Sequence, residues 1–162
     1  MRGLSLFAAG LVLGALAVLP GAAQDAGGGS SDIKLNHVGI TVKSIEETLN
    51  FYKSIGVREA FTLRDANGNA TMAYLQISRE TFMEVAQATA DRPLGLSHFG
   101  IEAADVKASV QRLRATGVKV EDIRVSRTNT LLASAIDPNG VRFELAELPA
   151  DSLPRKAMDA WR

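Results

Sequence analysis

His37 and His98 are the only histidines in the chain, and each stands in the same local phrase, Leu35-Asn36-His37-Val38-Gly39-Ile40 and Leu96-Ser97-His98-Phe99-Gly100-Ile101. Their offset, 98 minus 37, is 61, and it continues through Gly56-Val57 and Gly117-Val118. The chain therefore reads as two copies of one unit of about 60 residues, each with its histidine at the same place. Glu84 and Glu144 extend the correspondence with an offset of 60, so each copy contributes one His and one Glu. Two neutral imidazoles and two carboxylates suit a divalent metal: the carboxylates balance its charge, and a mixed nitrogen and oxygen set leaves coordination positions open. Taken singly, a strand histidine beside a glycine is more often a hydrogen-bonded structural residue, and a strand glutamate more often faces water. The paired positions favour a site over a retained scaffold with a metal-free pocket.

The elements that must position these residues follow from periodicity. Val38, Ile40 and Val42 alternate with Leu35, His37, Gly39 and Thr41, which places His37 on the strand face opposite the apolar one. In the second copy Phe99, Ile101 and Ala103 take the covered face, and His98 and Gly100 the open one. The glycines leave room beside the histidines. A helix follows in each copy. The first is capped by Ser44 with Glu47, striped by Ile45, Leu49, Tyr52 and Ile55 and stopped at Gly56; the second is capped by Asp105, striped by Val106, Val110 and Leu113 and stopped at Gly117.

Three more strands complete each copy: Val57–Leu63, Ala70–Ile77 and Thr81–Gln87, then Val118–Val125, Thr130–Ile136 and Val141–Glu147. Asp65-Ala66-Asn67-Gly68-Asn69 and Asp137-Pro138-Asn139-Gly140 are turns. Glu84 lies between Met83 and Val85, and Glu144 between Phe143 and Leu145, so both carboxylates emerge opposite an apolar stripe. On that open face Phe82 is the aromatic residue the pattern places. The fold class is α+β, with strand-helix-strand-strand-strand modules at 33–87 and 96–148 inside a domain at 33–148. A C-terminal tail, 149–162, carries a helical stretch, Ser152–Trp161, with Leu153, Ala157 and Trp161 one above another.

The N-terminus reads as a signal peptide at 1–23: Arg2, the uncharged apolar run Leu4–Leu19, then Pro20-Gly21-Ala22-Ala23 with cleavage after Ala23. Residues 24–32 form a flexible linker. The protein is thus expected to be secreted or periplasmic, the rival reading being an N-terminal membrane anchor. With no cysteine there is no disulfide framework and no lipid-modified N-terminal cysteine. Lys plus Arg and Asp plus Glu both number 18, so no charge footprint points to nucleic acid or to anionic lipid. Small molecules are the expected partners.

These phrases, with Phe51-Tyr52 and Asp137-Pro138-Asn139-Gly140-Val141-Arg142-Phe143-Glu144-Leu145, resemble the vicinal oxygen chelate superfamily of glyoxalases, epimerases, extradiol dioxygenases and bleomycin or fosfomycin resistance proteins. The resemblance covers Ile33 to Leu148. It implies two modules forming an open mixed-sheet cup (the glyoxalase/bleomycin resistance/dioxygenase-like fold), a homodimer, and a divalent metal (nickel, zinc, manganese or iron) held by His37, Glu84, His98 and Glu144. Glyoxalase I-like members have His, Glu, His, Glu at these positions, whereas methylmalonyl-CoA epimerase-like members have glutamine where Glu84 stands. The arginine that helps bacterial glyoxalases hold glutathione is replaced by Thr41, and the Phe51–Gly56 segment is one residue shorter than usual. Export also argues against glutathione chemistry.

The implied activity is that of an exported lyase or isomerase that stabilises an enediolate-type intermediate, with Glu144 as first and Glu84 as second candidate for the catalytic base. The alternative is a metal-free small-molecule-binding module of bleomycin-resistance type. An extradiol-type dioxygenase ranks lower, because such members recruit a further histidine and this chain has none to spare.

Overall fold

The computed structural model describes residues 34–162; the expected signal peptide, the whole of the linker and the first residue of the domain, Ile33, lie outside them. Among the described residues no helix is long and apolar enough to cross a membrane. The first copy runs β1 (Lys34–Val42), α1 (Ile45–Ser54), β2 (Arg58–Arg64), β3 (Ala70–Gln76) and β4 (Phe82–Gln87). The second runs β5 (Gly95–Glu102), α2 (Val106–Ala115), β6 (Arg124–Val125), β7 (Leu131–Ile136) and β8 (Arg142–Glu147), and α3 (Leu153–Asp159) follows.

The eight strands of the described residues form one mixed sheet, ordered β2-β3-β4-β1-β5-β8-β7-β6, curled into a half-barrel. In each copy the first strand pairs in parallel with the last, and the copies meet where β1 pairs antiparallel with β5. The cup therefore closes within one chain.

The two helices cover the convex face as their stripes require. Ser44 Oγ accepts from Glu47 N at the start of α1, and Asp105 Oδ1 accepts from Ala108 N at the start of α2. Ile45 and Leu49 pack on Ala73, Leu75 and Val85; Val106 and Val110 pack on Ala133 and Leu145. Full burial of a side chain such as Leu49 stabilises the fold by about 1.5–3 kcal/mol. Ile55 departs from the expected stripe: as the residue ending α1 it turns outward and is exposed.

Two further elements differ from the sequence reading. The strand expected over Val118–Val125 shrinks to Arg124–Val125 plus a single bridge from Val120 to Ala135. Arg114 explains the loss, because its Nη2 donates to the carbonyls of Val120 and Glu121 and to Asp122 Oδ1, folding that segment back on α2. The C-terminal helix forms, but in a different phase: Pro154, Ala157 and Met158 are its buried residues. Ala157 and Met158 pack with Tyr74, Phe82, Leu132, Ala146 and Leu148, plugging one end of the cup's interior. Trp161 lies beyond the helix, with the Arg58 guanidinium 5.8 Å from its ring centre.

Candidate metal centre

The register of the four central strands draws the expected residues into two crossed rows. Gly39 on β1 stands between Glu84 on β4 and His98 on β5, and Gly100 on β5 stands between His37 on β1 and Glu144 on β8. Each glycine thus makes room for the histidine of the other copy. A Cβ at Gly39 would lie 2.1 Å from His98 Cε1, and one at Gly100 would lie 2.0 Å from His37 Cε1.

Both imidazoles are buried, at 2% exposed for His37 and 5% for His98, and their Nε2 atoms lie 3.1 Å apart. Glu144 Oε2 is 3.7 Å from each of those nitrogens. His37, Glu84 and His98 each offer a ligand atom, all within 4.8 Å of one another. The four expected residues therefore converge on one point inside a single chain.

The tautomers follow from the residues preceding each histidine. Asn36 Oδ1 lies 2.9 Å from His37 Nδ1, so that nitrogen carries the proton and donates it. Ser97 Oγ gives its hydrogen to Gly39 O at 3.0 Å and can only accept from His98 Nδ1 at 2.8 Å. Both Nε2 atoms are consequently bare lone pairs facing each other. Such a pair repels unless a cation or a shared proton lies between them. Two nitrogens each bound to one divalent cation at about 2.1 Å would stand about 3.0–3.4 Å apart, a range that contains the spacing seen. Burial holds the His98 imidazole below its usual pKa, against the pull of Glu144 and Glu84, and so keeps it in the neutral form a metal needs. This donor set fits a divalent metal.

The carboxylates differ in their surroundings. Burial raises the Glu144 carboxyl, but the two imidazoles when protonated, together with the Arg142 guanidinium, outweigh it and bring its pKa down to about 2. Its Oε1 takes Arg142 Nη2 at 2.7 Å and Arg124 Nη2 at 3.3 Å. Glu84 accepts from the Tyr74 hydroxyl at 2.6 Å. Burial and the adjacent Glu84 push the Tyr74 phenol well above its ordinary pKa, so it stays a donor.

Sequence reading passed over Asn36, Ser97, Tyr74, Arg124 and Arg142. The first two carried a readable signal, since they precede the histidines at the same 61-residue offset. Ser97→Ala and Asn36→Ala are each expected to weaken metal binding by about 10- to 100-fold by freeing one ring to rotate. Calorimetric titration with zinc checks this; unchanged affinity in both variants would refute the orienting role.

A cavity of about 540 Å³ opens beside the centre, lined by Glu84, His98 and Glu144 and walled on one side by the link between the copies. Thr41, where glyoxalases carry arginine, is buried and donates to the carbonyls of Pro93 and Gly95, fixing that wall.

Among curated proteins none matches this chain in sequence. In fold it is similar to a hypothetical protein from Bacillus halodurans, with 23% identity over 73% of this chain and 96% of the other and a TM-score of 0.60. It is also similar to methylmalonyl-CoA epimerase from Mycobacterium tuberculosis, with 22% identity over 70% of this chain and 86% of the other and a TM-score of 0.60. Streptomyces coelicolor methylmalonyl-CoA epimerase, solved in complex with 2-nitronate-propionyl-CoA, gives 21% identity over 74% of this chain and 96% of the other, with a TM-score of 0.62. The family model of the glyoxalase/bleomycin resistance protein/dioxygenase superfamily matches residues 34–145, most of the described chain, and the chain belongs to that superfamily.

Proposed function

We propose that this protein is an exported lyase or isomerase of glyoxalase or epimerase type, dependent on a divalent metal held by His37, Glu84, His98 and Glu144. The observation that carries the reading is the pair of bare Nε2 atoms 3.1 Å apart, flanked by a carboxylate from each copy. The likeness in fold to methylmalonyl-CoA epimerases supports isomerase chemistry within the superfamily. A divalent cation bound there would supply Lewis-acid stabilisation of negative charge on a substrate oxygen.

The chain's own residues do the rest. A carboxylate removes a proton from the carbon adjacent to the carbonyl that carries that oxygen, the electron pair passes through the new carbon–carbon double bond onto the oxygen, and the carboxyl delivers the proton to the former carbonyl carbon as that double bond is lost. Glu84 suits this role better than Glu144, because two guanidiniums hold Glu144 Oε1 as an anion while Glu84 is held by one neutral phenol. Tyr74 orients Glu84 throughout. A homodimer remains part of the reading by family resemblance, although the four ligands come from one chain.

One preparation tests the proposal. Expressed full length in a bacterial host, the protein is expected in the periplasmic fraction, beginning at Gln24, with about one divalent metal per chain by mass spectrometry. A His37→Ala, Glu144→Ala double variant should carry none. Absence of metal from both proteins, after reconstitution with nickel, zinc, manganese and iron, would replace the enzyme with a metal-free ligand-binding cup. An intact N-terminus in the cell membrane would replace export with anchoring.

A further inference from the structure

The chain is balanced in charge overall, yet the cavity beside the metal centre is not. Arg92, Arg124 and Arg142 line it, and among the described residues Asp91 is its single acid besides Glu84 and Glu144. Arg127 lines an adjoining recess of about 110 Å³ that shares Arg124, Glu84 and Glu144 with it. Among the described residues neither space is lined by lysine. Two carboxylates at the centre balance a divalent cation, which leaves the guanidiniums as an excess of positive charge.

These arginines are not equally committed. Arg142 is tied to Ser134 Oγ at 2.9 Å and to Glu144 at 2.7 Å. Arg124 holds Glu144 through one long contact of 3.3 Å, and its side chain is 49% exposed. Arg92 sits on the turn bridged by Thr89, is exposed, and has no side-chain hydrogen bond among the described residues. Guanidinium is the group whose planar donors fit a carboxylate in two-point fashion. The same cavity is also lined by Pro93, Leu94 and Leu96, and both leucines are left largely exposed.

We infer that this cavity selects a compact organic anion: a carboxylate-bearing molecule whose neighbouring oxygens reach the metal centre, whose charge meets Arg92 and Arg124, and whose apolar part rests on Pro93, Leu94 and Leu96. The inference rests on the metal reading above and adds the substrate class to it. Arg92 and Arg124 are its specificity residues.

Phenylglyoxylate and its methyl ester make the test, because the ester keeps the neighbouring oxygens and loses the charge. By calorimetry on metal-loaded protein the anion is expected to bind about tenfold more tightly than the ester. In an Arg92→Gln, Arg124→Gln variant, reconstituted to the metal content of the parent protein because Arg124 also touches Glu144, the gap should close to about twofold. Equal binding by the parent protein, a gap that survives the double variant, or no binding of either compound overturns the anion class and leaves the metal reading standing. Failure of the parent protein to take up metal overturns both, and metal content read separately tells the two failures apart.

Discussion

Gly100→Ala is expected to empty the metal centre of a protein that keeps all four of its ligand residues. The added Cβ would fall 2.0 Å from His37 Cε1 and 2.2 Å from Nδ1, far inside contact distance. Two responses are open. The ring can swing away, breaking its 2.9 Å bond to Asn36 and withdrawing Nε2 from His98, or β5 can move off β1 along the seam that joins the two copies. Either response separates the nitrogens. Gly39→Ala does the same to His98 from the other strand, with a contact of 2.1 Å. Neither glycine is among those with positive φ, so alanine is not strained by the backbone itself and the effect is purely one of space. Metal affinity should fall by at least about 100-fold, with a loss of stability of about 1–3 kcal/mol from overpacking. Titration with zinc and a denaturation curve on the same sample measure both. Normal zinc uptake by Gly100→Ala would mean that His37 is not held where the register puts it.

This interlocking marks the limit of what the sequence could say. The alternation about His37 and His98, the matching offset of Glu84 and Glu144, and the caps at Ser44 and Asp105 are local patterns, and local patterns determined the modules, the face of each ligand and the packing of α1 and α2. That each glycine serves the histidine of the opposite copy depends on the antiparallel register of β1 on β5, a contact across about 60 residues of chain that no periodicity encodes. Tyr74 reaches Glu84 for the same reason, by lying opposite it across β3 and β4. The clamp of Arg124 and Arg142 on Glu144 is equally tertiary, the first arriving from an edge strand of two residues. The phase of α3 differs from the expected one because helical spacing alone fits more than one face. The cup's apolar end, formed by Tyr74, Phe82 and Leu132, selects the face that carries Ala157 and Met158.

Glu84→Gln and Glu144→Gln are expected to fail in different ways, and the difference assigns the two carboxylates their roles. Glutamine at position 84 keeps a carbonyl oxygen that can accept from Tyr74 and face the centre, so metal should be retained while the proton acceptor is lost. Turnover of whichever aldoketo, epimerase or lyase substrate the parent protein accepts should drop by about 10²- to 10⁴-fold, together with exchange of the substrate's carbon-bound proton into deuterated solvent. Glutamine at position 144 instead removes the anion that Arg142 and Arg124 grip at 2.7 and 3.3 Å and that lies 3.7 Å from both imidazole nitrogens. Two guanidiniums would then face the metal centre with their counter-charge gone, and repulsion between them and a divalent cation should lower metal affinity before any effect on proton transfer is seen. Saturating metal should therefore restore part of the activity of Glu144→Gln and none of that of Glu84→Gln. The reverse pattern, with activity surviving in Glu84→Gln and metal-saturated Glu144→Gln inert, would make Glu144 the base in spite of its arginines.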